Sequence, residues 1–370
     1  MSNLTASRYK ALVRNWDSSG SYFQLPVGDT EVLSLRHTIG SKYCFPGQNE
    51  RLPSGTVIAD LISFSPQFYY GESSLIKQTT LARAVSASGH GLHTGERANL
   101  TLHPAPAYSG YVFRRRDLNN FEIPAAPQYV ARVSYATTLM RQGVMISTVE
   151  HLLSALRGSH VDNCIIEIDS LEVPILDGSA EPFIEMIERA GIIIMEEPRQ
   201  FLRVLKRVEV SEGNRRMSLD PAQNFSISCL IEFPHPMIGT QRREVILSDG
   251  EFSQQIASAR TFGFLNEIES LRDLGLARGG SLDNAVVLTP EGGIMNREGL
   301  RYADEFVRHK ILDIIGDLAL FGMPVIGRVE AERTGHGVHT ALVSRVLRDD
   351  AAWEIIDSTA LSPVLSANGD

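Results

Sequence analysis

The chain has little cysteine, little net basic charge and no long apolar run, and each shortage removes a class of function. Cysteine occurs only as Cys44, Cys164 and Cys229, far apart, odd in number and without a C-x-x-C pair. Neither a disulfide framework nor a thiolate metal site is therefore supported, and a reducing compartment is expected. The formal net charge of -9 argues against a binder of nucleic acid polymers, whose phosphate contacts need clustered Lys and Arg. The one dense basic cluster, FRRRD at 113–117, is enough for a diphosphate but not for a duplex, and it reads equally well as a solvated strand end. Apolar runs such as GIIIM at 191–195 fall far short of a membrane span. Arg8, Lys10 and Arg14 are followed by no apolar stretch, so a secretory signal is not expected and the cytoplasm is the expected location. Nothing in the sequence sets the oligomeric state, and a monomer is the default expectation.

What is present is the composition of a soluble globular protein, 43% hydrophobic and 21% charged, with 370 residues to fill about two ordinary domains. Residues 1–73 are rich in Ser, Gly and Pro and show no sustained period, which predicts a loosely ordered extension. From Lys77 onward the pattern changes to short strands (ANLTLHPA, NCIIEID) and amphipathic helices (STVEHLLSALRG, AEPFIEMIERAG), each helix closed by a glycine. EEPRQ at 196–200 reads as a charged, proline-containing break and a domain boundary. The second half repeats this pattern, with FSISCLIEF and PVIGRVEAER as strands and EFSQQIASARTF and HTALVSRVL as helices. Strands and helices are segregated, which predicts an α+β fold of layers and not a doubly wound sheet. The near-matching hexamers GHGLHT (89–94) and GHGVHT (335–340) leave open two domains of similar build, at 74–198 and 199–350, with a tail at 351–370.

The chemistry gathers on two of these helices. EFVRHKILDIIGDLALFG (305–322) carries His309, Asp313 and Asp317 at four-residue steps beside an apolar stripe of Val307, Ile311, Ile314, Ile315, Leu318 and Phe321. Alone, that row reads better as a solvated face with a satisfied histidine than as a site. On STVEHLLSAL, Ser147 and Glu150 match an S-x-x-E capping box, a sufficient structural reason for Glu150, whereas His151 has no such reason. Read together, His151, His309 and Asp313 supply two imidazoles and a carboxylate, the ligand set of a hydrolytic zinc site with an open fourth position. Glu150 is then the candidate general base. His336, between Gly335 and Gly337 where a strand gives way to a helix, could stabilise an oxyanion and protonate a leaving group, although a solvated turn histidine fits as well. Asp317, one turn beyond Asp313, could orient His336 and keep it protonated. Non-haem Fe(II) oxygenases use the same ligand set, but an adjacent glutamate base has no task there, so that reading ranks second. Spacing alone leaves Fe(II) open as a hydrolytic metal.

STVEHLLSAL, VPILDGSAEPF, SARTFGF, RGGSLDNAVVL, GLRYADEFVRHKILDIIGDL and GHGVH, in this order, resemble the UDP-3-O-acyl-N-acetylglucosamine deacetylases of lipid A biosynthesis, and GHGLHTGERANLTLHPAP resembles that family's opening strand and loop. The similarity spans residues 75–348. It implies two similar two-layer α/β sandwich domains facing one another, each with a small insert, and a Zn2+-dependent amidase acting on an acylated UDP-glucosamine. It further implies that His151, His309 and Asp313 bind zinc, that Glu150 is the base, and that His336, backed by Asp317, is the acid or electrostatic stabiliser. Thr261 would help hold the carbonyl oxygen, Phe262 would contact substrate, Lys310 would reach a phosphate, and His93 would lie at the mouth of the site. The stretch 263–288 would form a β-α-β unit with an apolar passage for the acyl chain, through Phe264, Leu265, Ile268, Leu271, Leu274, Leu276 and Leu282, although helix packing would also use those leucines. The extension has no counterpart in the family, and His90 and His339 stand where a small apolar residue and a polar amide are usual. A paralogue that kept the fold and lost the activity for a binding or regulatory role is the competing class. It is weakened by the presence of all five of Glu150, His151, His309, Asp313 and His336.

Overall fold

The computed structural model describes residues 77–247 and 250–358, so the expected extension at 1–73 lies outside the described residues. Alternation builds the first sheet. In Arg97–Pro104, Ala98, Leu100 and Leu102 turn inward and are fully buried, while Arg97 and Asn99 face solvent. That strand lies in a five-stranded sheet ordered Val85–His90, Arg97–Pro104, Cys164–Ile168, Tyr111–Arg115, Phe121–Pro124. All its pairings are antiparallel except the one between Cys164–Ile168 and Tyr111–Arg115. A seven-stranded sheet is centred on Val325–Glu332, which pairs with Arg215–Asp220, Gln200–Val204 and Phe225–Phe233. Val208–Glu212, Gly239–Ile246 and Trp353–Asp357 complete it.

Among the described residues six α-helices accompany the sheets: α1 (Glu150–Gly158), α2 (Glu181–Ala190), α3 (Glu251–Gln255), α4 (Ile268–Asp273), α5 (Glu305–Leu318) and α6 (His336–Arg348). The fold is α+β, with α2 packed on the first sheet, α5 and α6 on the second, and α1 packed against α5. That last contact is very close: a Cβ at Gly316 of α5 would stand 2.0 Å from the Glu150 carbonyl oxygen of α1, so only glycine fits. It is this approach that brings the two chemistry-bearing helices together. Two small units flank it, a three-stranded meander (Val130–Arg132, Thr138–Arg141, Val144–Ser147) and a β-α-β unit in which Phe262–Phe264 and Val286–Leu288 pair in parallel around α4. Among the described residues no helix is long and apolar enough to cross a membrane.

Several local expectations need correction. EEPRQ is not a loop: it spans the end of the strand Ile192–Pro198, paired with Lys77–Leu81, and Arg199 alone separates it from Gln200–Val204 of the seven-stranded sheet. Arg199 is itself buried in an ion pair with Asp162 at 2.8 Å, and Pro198 is tolerated because it ends a strand. EFSQQIASARTF is helical only over Glu251–Gln255. The stretch from 351, expected to be tail, supplies the strand Trp353–Asp357, held by the buried indole of Trp353. Gly158 does not close α1 from outside but is its last residue, and a Cβ there would fall 2.0 Å from the Phe252 ring of α3. The FRRRD arginines are each paired, Arg114 with Glu122, Arg115 with Asp117 and Arg116 with Glu167, which leaves no free basic cluster there.

Candidate metal centre and active site

The capping box expected for Ser147 and Glu150 does not form. The N-cap of α1 is Val149, without a side-chain cap, and Glu150 is the first helical residue. Ser147 ends a strand, where its hydroxyl pairs with that of Thr138 at 2.8 Å. The Glu150 carboxylate turns inward instead, 2% exposed, and accepts the Thr137 N–H at 3.1 Å. Its structural excuse is gone, and a buried acid beside His151 needs another reason.

The row on α5 is not a solvated face either. His309, Asp313 and Asp317 are all buried, as is His151 across the α1–α5 contact. His151, His309 and Asp313 each present one ligand atom within 4.8 Å of the others. Asp313 Oδ1 lies 3.5 Å from His309 Nε2 and 3.7 Å from His151 Nε2, and the two imidazoles meet edge to face at 4.9 Å. His309 Nδ1 donates to the Ala259 carbonyl at 3.0 Å, which fixes the tautomer and leaves Nε2 as a lone pair. Asp313 Oδ1 is buried with no hydrogen-bond partner, a costly state that a cation between it and the two imidazole Nε2 atoms would relieve. Burial holds both imidazoles neutral, pushing His151 down to about 3 and His309 in the same direction. Burial opposes the charge of Asp313, yet the Lys310 ammonium at 2.8 Å, helped by the cationic His336, holds it well below the usual carboxylate range. Neutral imidazoles with an ionised carboxylate are the protonation states a divalent metal requires, so the residues fit the ion.

A second cluster adjoins the first. Asp317, fully buried, accepts from His336 Nδ1 at 2.7 Å and His339 Nδ1 at 2.8 Å through Oδ2, and from the Thr137 hydroxyl at 2.6 Å through Oδ1. These three residues also stand close enough to hold a metal, but their facing atoms are already bonded to one another, unlike those around Asp313. Burial alone would discharge His336, but Asp317 and Glu150 outweigh it and push the ring up to about 10. Its Nε2 faces Glu150 Oε1 at 3.7 Å. Burial also pushes Glu150 up to about 7, the charge of His336 opposing. An acid poised near neutrality thus stands beside an imidazolium, the pairing expected of a general base and general acid. His336 is the first residue of α6 and not a loop residue, so its ring also lies at the positive end of that helix.

Around this centre, the Lys310 ammonium lies 5.4 Å from the Phe262 ring centroid, and that ring is 6.3 Å from His309. The strand Phe262–Phe264 begins three residues after Ala259, which carries the carbonyl that orients His309, and Thr261 lies between them, its N–H donating to the Gly178 carbonyl at 2.8 Å. His93 stands near enough to His336 for their charges to oppose, and its Nε2 is buried without a partner. Sequence reasoning missed Thr137, which bonds both Glu150 and Asp317, and the use made of His339, noted only as an unusual residue. Its one visible signal was its place three residues after His336 on a helix.

A family model described as UDP-3-O-acyl N-acetylglycosamine deacetylase matches residues 78–348. The UDP-3-O-acyl-N-acetylglucosamine deacetylase of Myxococcus xanthus is 50% identical over 284 residues, covering 76% of this chain and 90% of the relative. The proteins of the same name from Solibacter usitatus and Saccharophagus degradans are 49% and 46% identical, covering 75% and 76% of this chain and 94% of each relative.

Proposed function

The chain belongs to the UDP-3-O-acyl N-acetylglycosamine deacetylase family, and from that premise we propose that it hydrolyses the N-acetyl group of UDP-3-O-(3-hydroxyacyl)-N-acetylglucosamine, giving acetate and the free amine used for lipid A biosynthesis. His151, His309 and Asp313 would hold a Zn2+ ion, which supplies Lewis acidity to a carbonyl oxygen and acidifies water. The observation that carries the reading is the buried set of two neutral imidazoles and one carboxylate with an orphaned oxygen facing both rings, set beside an acid–base pair.

Glu150, with its carboxyl near about 7, takes the proton of the attacking water. His336, cationic at neutral pH, hydrogen-bonds the oxyanion through Nε2–H and then gives that proton to the amine nitrogen as the C–N bond breaks, while its Nδ1–H stays hydrogen-bonded to Asp317. Asp317 is held by Thr137 and His339, so its charge keeps a fixed position behind His336. Thr261 helps hold the carbonyl oxygen and Phe262 contacts the substrate. Lys310 keeps 22% of its side chain exposed and reaches toward a phosphate, with His93 at the mouth. The β-α-β unit supports an acyl-chain passage: α4 buries none of its residues, and Leu265, Leu274 and Leu282 are exposed and not core residues, whereas Phe264 packs against the core. We place the enzyme in the cytoplasm as a monomer, with domains at 74–198 and from 199 through the strand Trp353–Asp357. Acetate release from the purified substrate tests the proposal. Equimolar acetate and free amine are expected, and intact substrate after incubation with zinc-loaded protein would overturn it.

A further inference from the structure

Glu172, outside every role assigned so far, is fully buried. Its carboxylate accepts four hydrogen bonds, from the N–H groups of His93 at 2.9 Å and Thr94 at 2.7 Å and from the hydroxyls of Thr94 and Thr148, each at 2.8 Å. These donors belong to two branches. The first is the loop 91–95, which closes on the carboxylate so tightly that a Cβ at Gly91 would stand 2.3 Å from Glu172 Oε2. From there the loop leans on the β-α-β unit of the second half. Gly279 N–H donates to the Leu92 carbonyl at 3.0 Å and Arg278 N–H to the His93 carbonyl at 3.1 Å.

The second branch is the turn that launches α1. Thr148 has φ 58, a left-handed conformation that β-branched residues avoid and keep only where the surroundings force it. It lies two residues before Glu150 and three before His151, so its backbone sets the direction from which both side chains emerge. The strand Val144–Ser147 lays the turn beside Glu172 through Ser147 N–H to the Leu171 carbonyl at 2.9 Å and Val173 N–H to the Ser147 carbonyl at 3.1 Å. Thr148 is itself buried, so no solvent replaces its bond to the carboxylate. Only an acceptor-only group receives four donors at once. A glutamine would turn an NH2 toward N–H or O–H.

We propose that Glu172 is a positioning residue that holds the two sides of the reactive cleft in register, aiming Glu150 and His151 through Thr148 and setting His93 at the mouth through the 91–95 loop. The inference rests on the deacetylase reading and separates its two branches kinetically. Thr148→Val keeps the shape and loses the hydroxyl. It should lower kcat about ten- to a hundredfold, the scale of a small misplacement of reacting groups, leave KM near wild type, and weaken competitive Zn2+ binding. Thr94→Val should raise KM about threefold to tenfold with kcat and Zn2+ affinity unchanged. Glu172→Gln should combine both effects, and Thr148→Ser, which restores the hydroxyl, should recover kcat. Thermal unfolding of each variant reports its folded state. Folded variants with wild-type kcat, KM and Zn2+ affinity, or Thr148→Val and Thr94→Val changing the same parameter, would overturn the proposal. If wild-type protein released no acetate, the deacetylase reading would fall, and the Zn2+ affinities of Thr148→Val and Thr94→Val would alone decide the role of Glu172.

Discussion

Asp317→Asn removes the charge behind His336 while keeping the side chain's shape. The carboxylate it replaces accepts from His336 at 2.7 Å and His339 at 2.8 Å on one oxygen and from Thr137 at 2.6 Å on the other. An amide keeps one acceptor oxygen, so its NH2 must face at least one of these donors. A buried hydrogen bond to a charged group contributes roughly 1.5–3 kcal/mol, and a pKa unit corresponds to about 1.4 kcal/mol. His336, pushed up to about 10 in the native site, should therefore fall to roughly 8–9 in the variant. The sign follows from the roles. Activity needs Glu150 deprotonated, so the rate rises as pH passes about 7. It needs His336 protonated, so the rate falls as pH passes about 10. Initial rates of acetate release across pH should give a bell whose alkaline limb moves down by about one to two units in Asp317→Asn. The acid limb should hold or move slightly down, because the charge of Asp317 helps to raise Glu150. An alkaline limb that stays in place would remove the Asp317–His336 pair from the mechanism.

Three further substitutions probe the rest of the account. Glu150→Gln should keep its metal and lose about two to four orders of magnitude in rate. Because burial lifts the Glu150 carboxyl from 4.5 to about 7, the native protein loses roughly 3 kcal/mol as pH rises through that window. The Gln variant should therefore have a higher Tm than wild type above pH 7, and a lower Tm would restore a structural role for the charge. Gly158→Ala would usually favour a helix by about 1 kcal/mol. Here the added methyl meets the Phe252 ring, so Tm should drop by the equivalent of about 1–3 kcal/mol, while kcat and KM of the folded enzyme stay unchanged. Leu274→Ser, at a side chain 69% exposed, should leave stability within about 0.5 kcal/mol and raise KM for long-chain substrate only. An equal effect on a short-acyl analogue would argue against the passage.

How much of the fold and site is legible in the sequence depends on the distance over which each signal acts. The strands flanking the site and the helices α1 and α5 announce themselves through period, and His309, Asp313 and Asp317 through their four-residue spacing on one helix. The S-x-x-E pattern misleads because the helix starts at Glu150, which makes it the first helical residue when a capping box needs it to be the third. Thr137 is invisible: its hydroxyl meets Asp317 across 180 residues, and no period or motif encodes such a pairing. Glu172 reads as one acid in a polar turn, and its donors become apparent only when two loops close on it. EEPRQ reads as a loop because proline and charge mark breaks on average, whereas here one strand ends at Pro198 and the ion-paired Arg199 leads directly into a strand of the next sheet.

The central claim is that three buried side chains hold a metal on which amide hydrolysis depends. Metal content and acetate release, measured together on wild type and His309→Ala, test it most directly. Wild type should carry about one tightly held Zn2+ per chain. Its activity should vanish on chelation and return with added Zn2+, while His309→Ala should be folded, largely metal-free and inactive. Equal zinc content in the two proteins, or undiminished acetate release from the chelated wild type, would contradict the account.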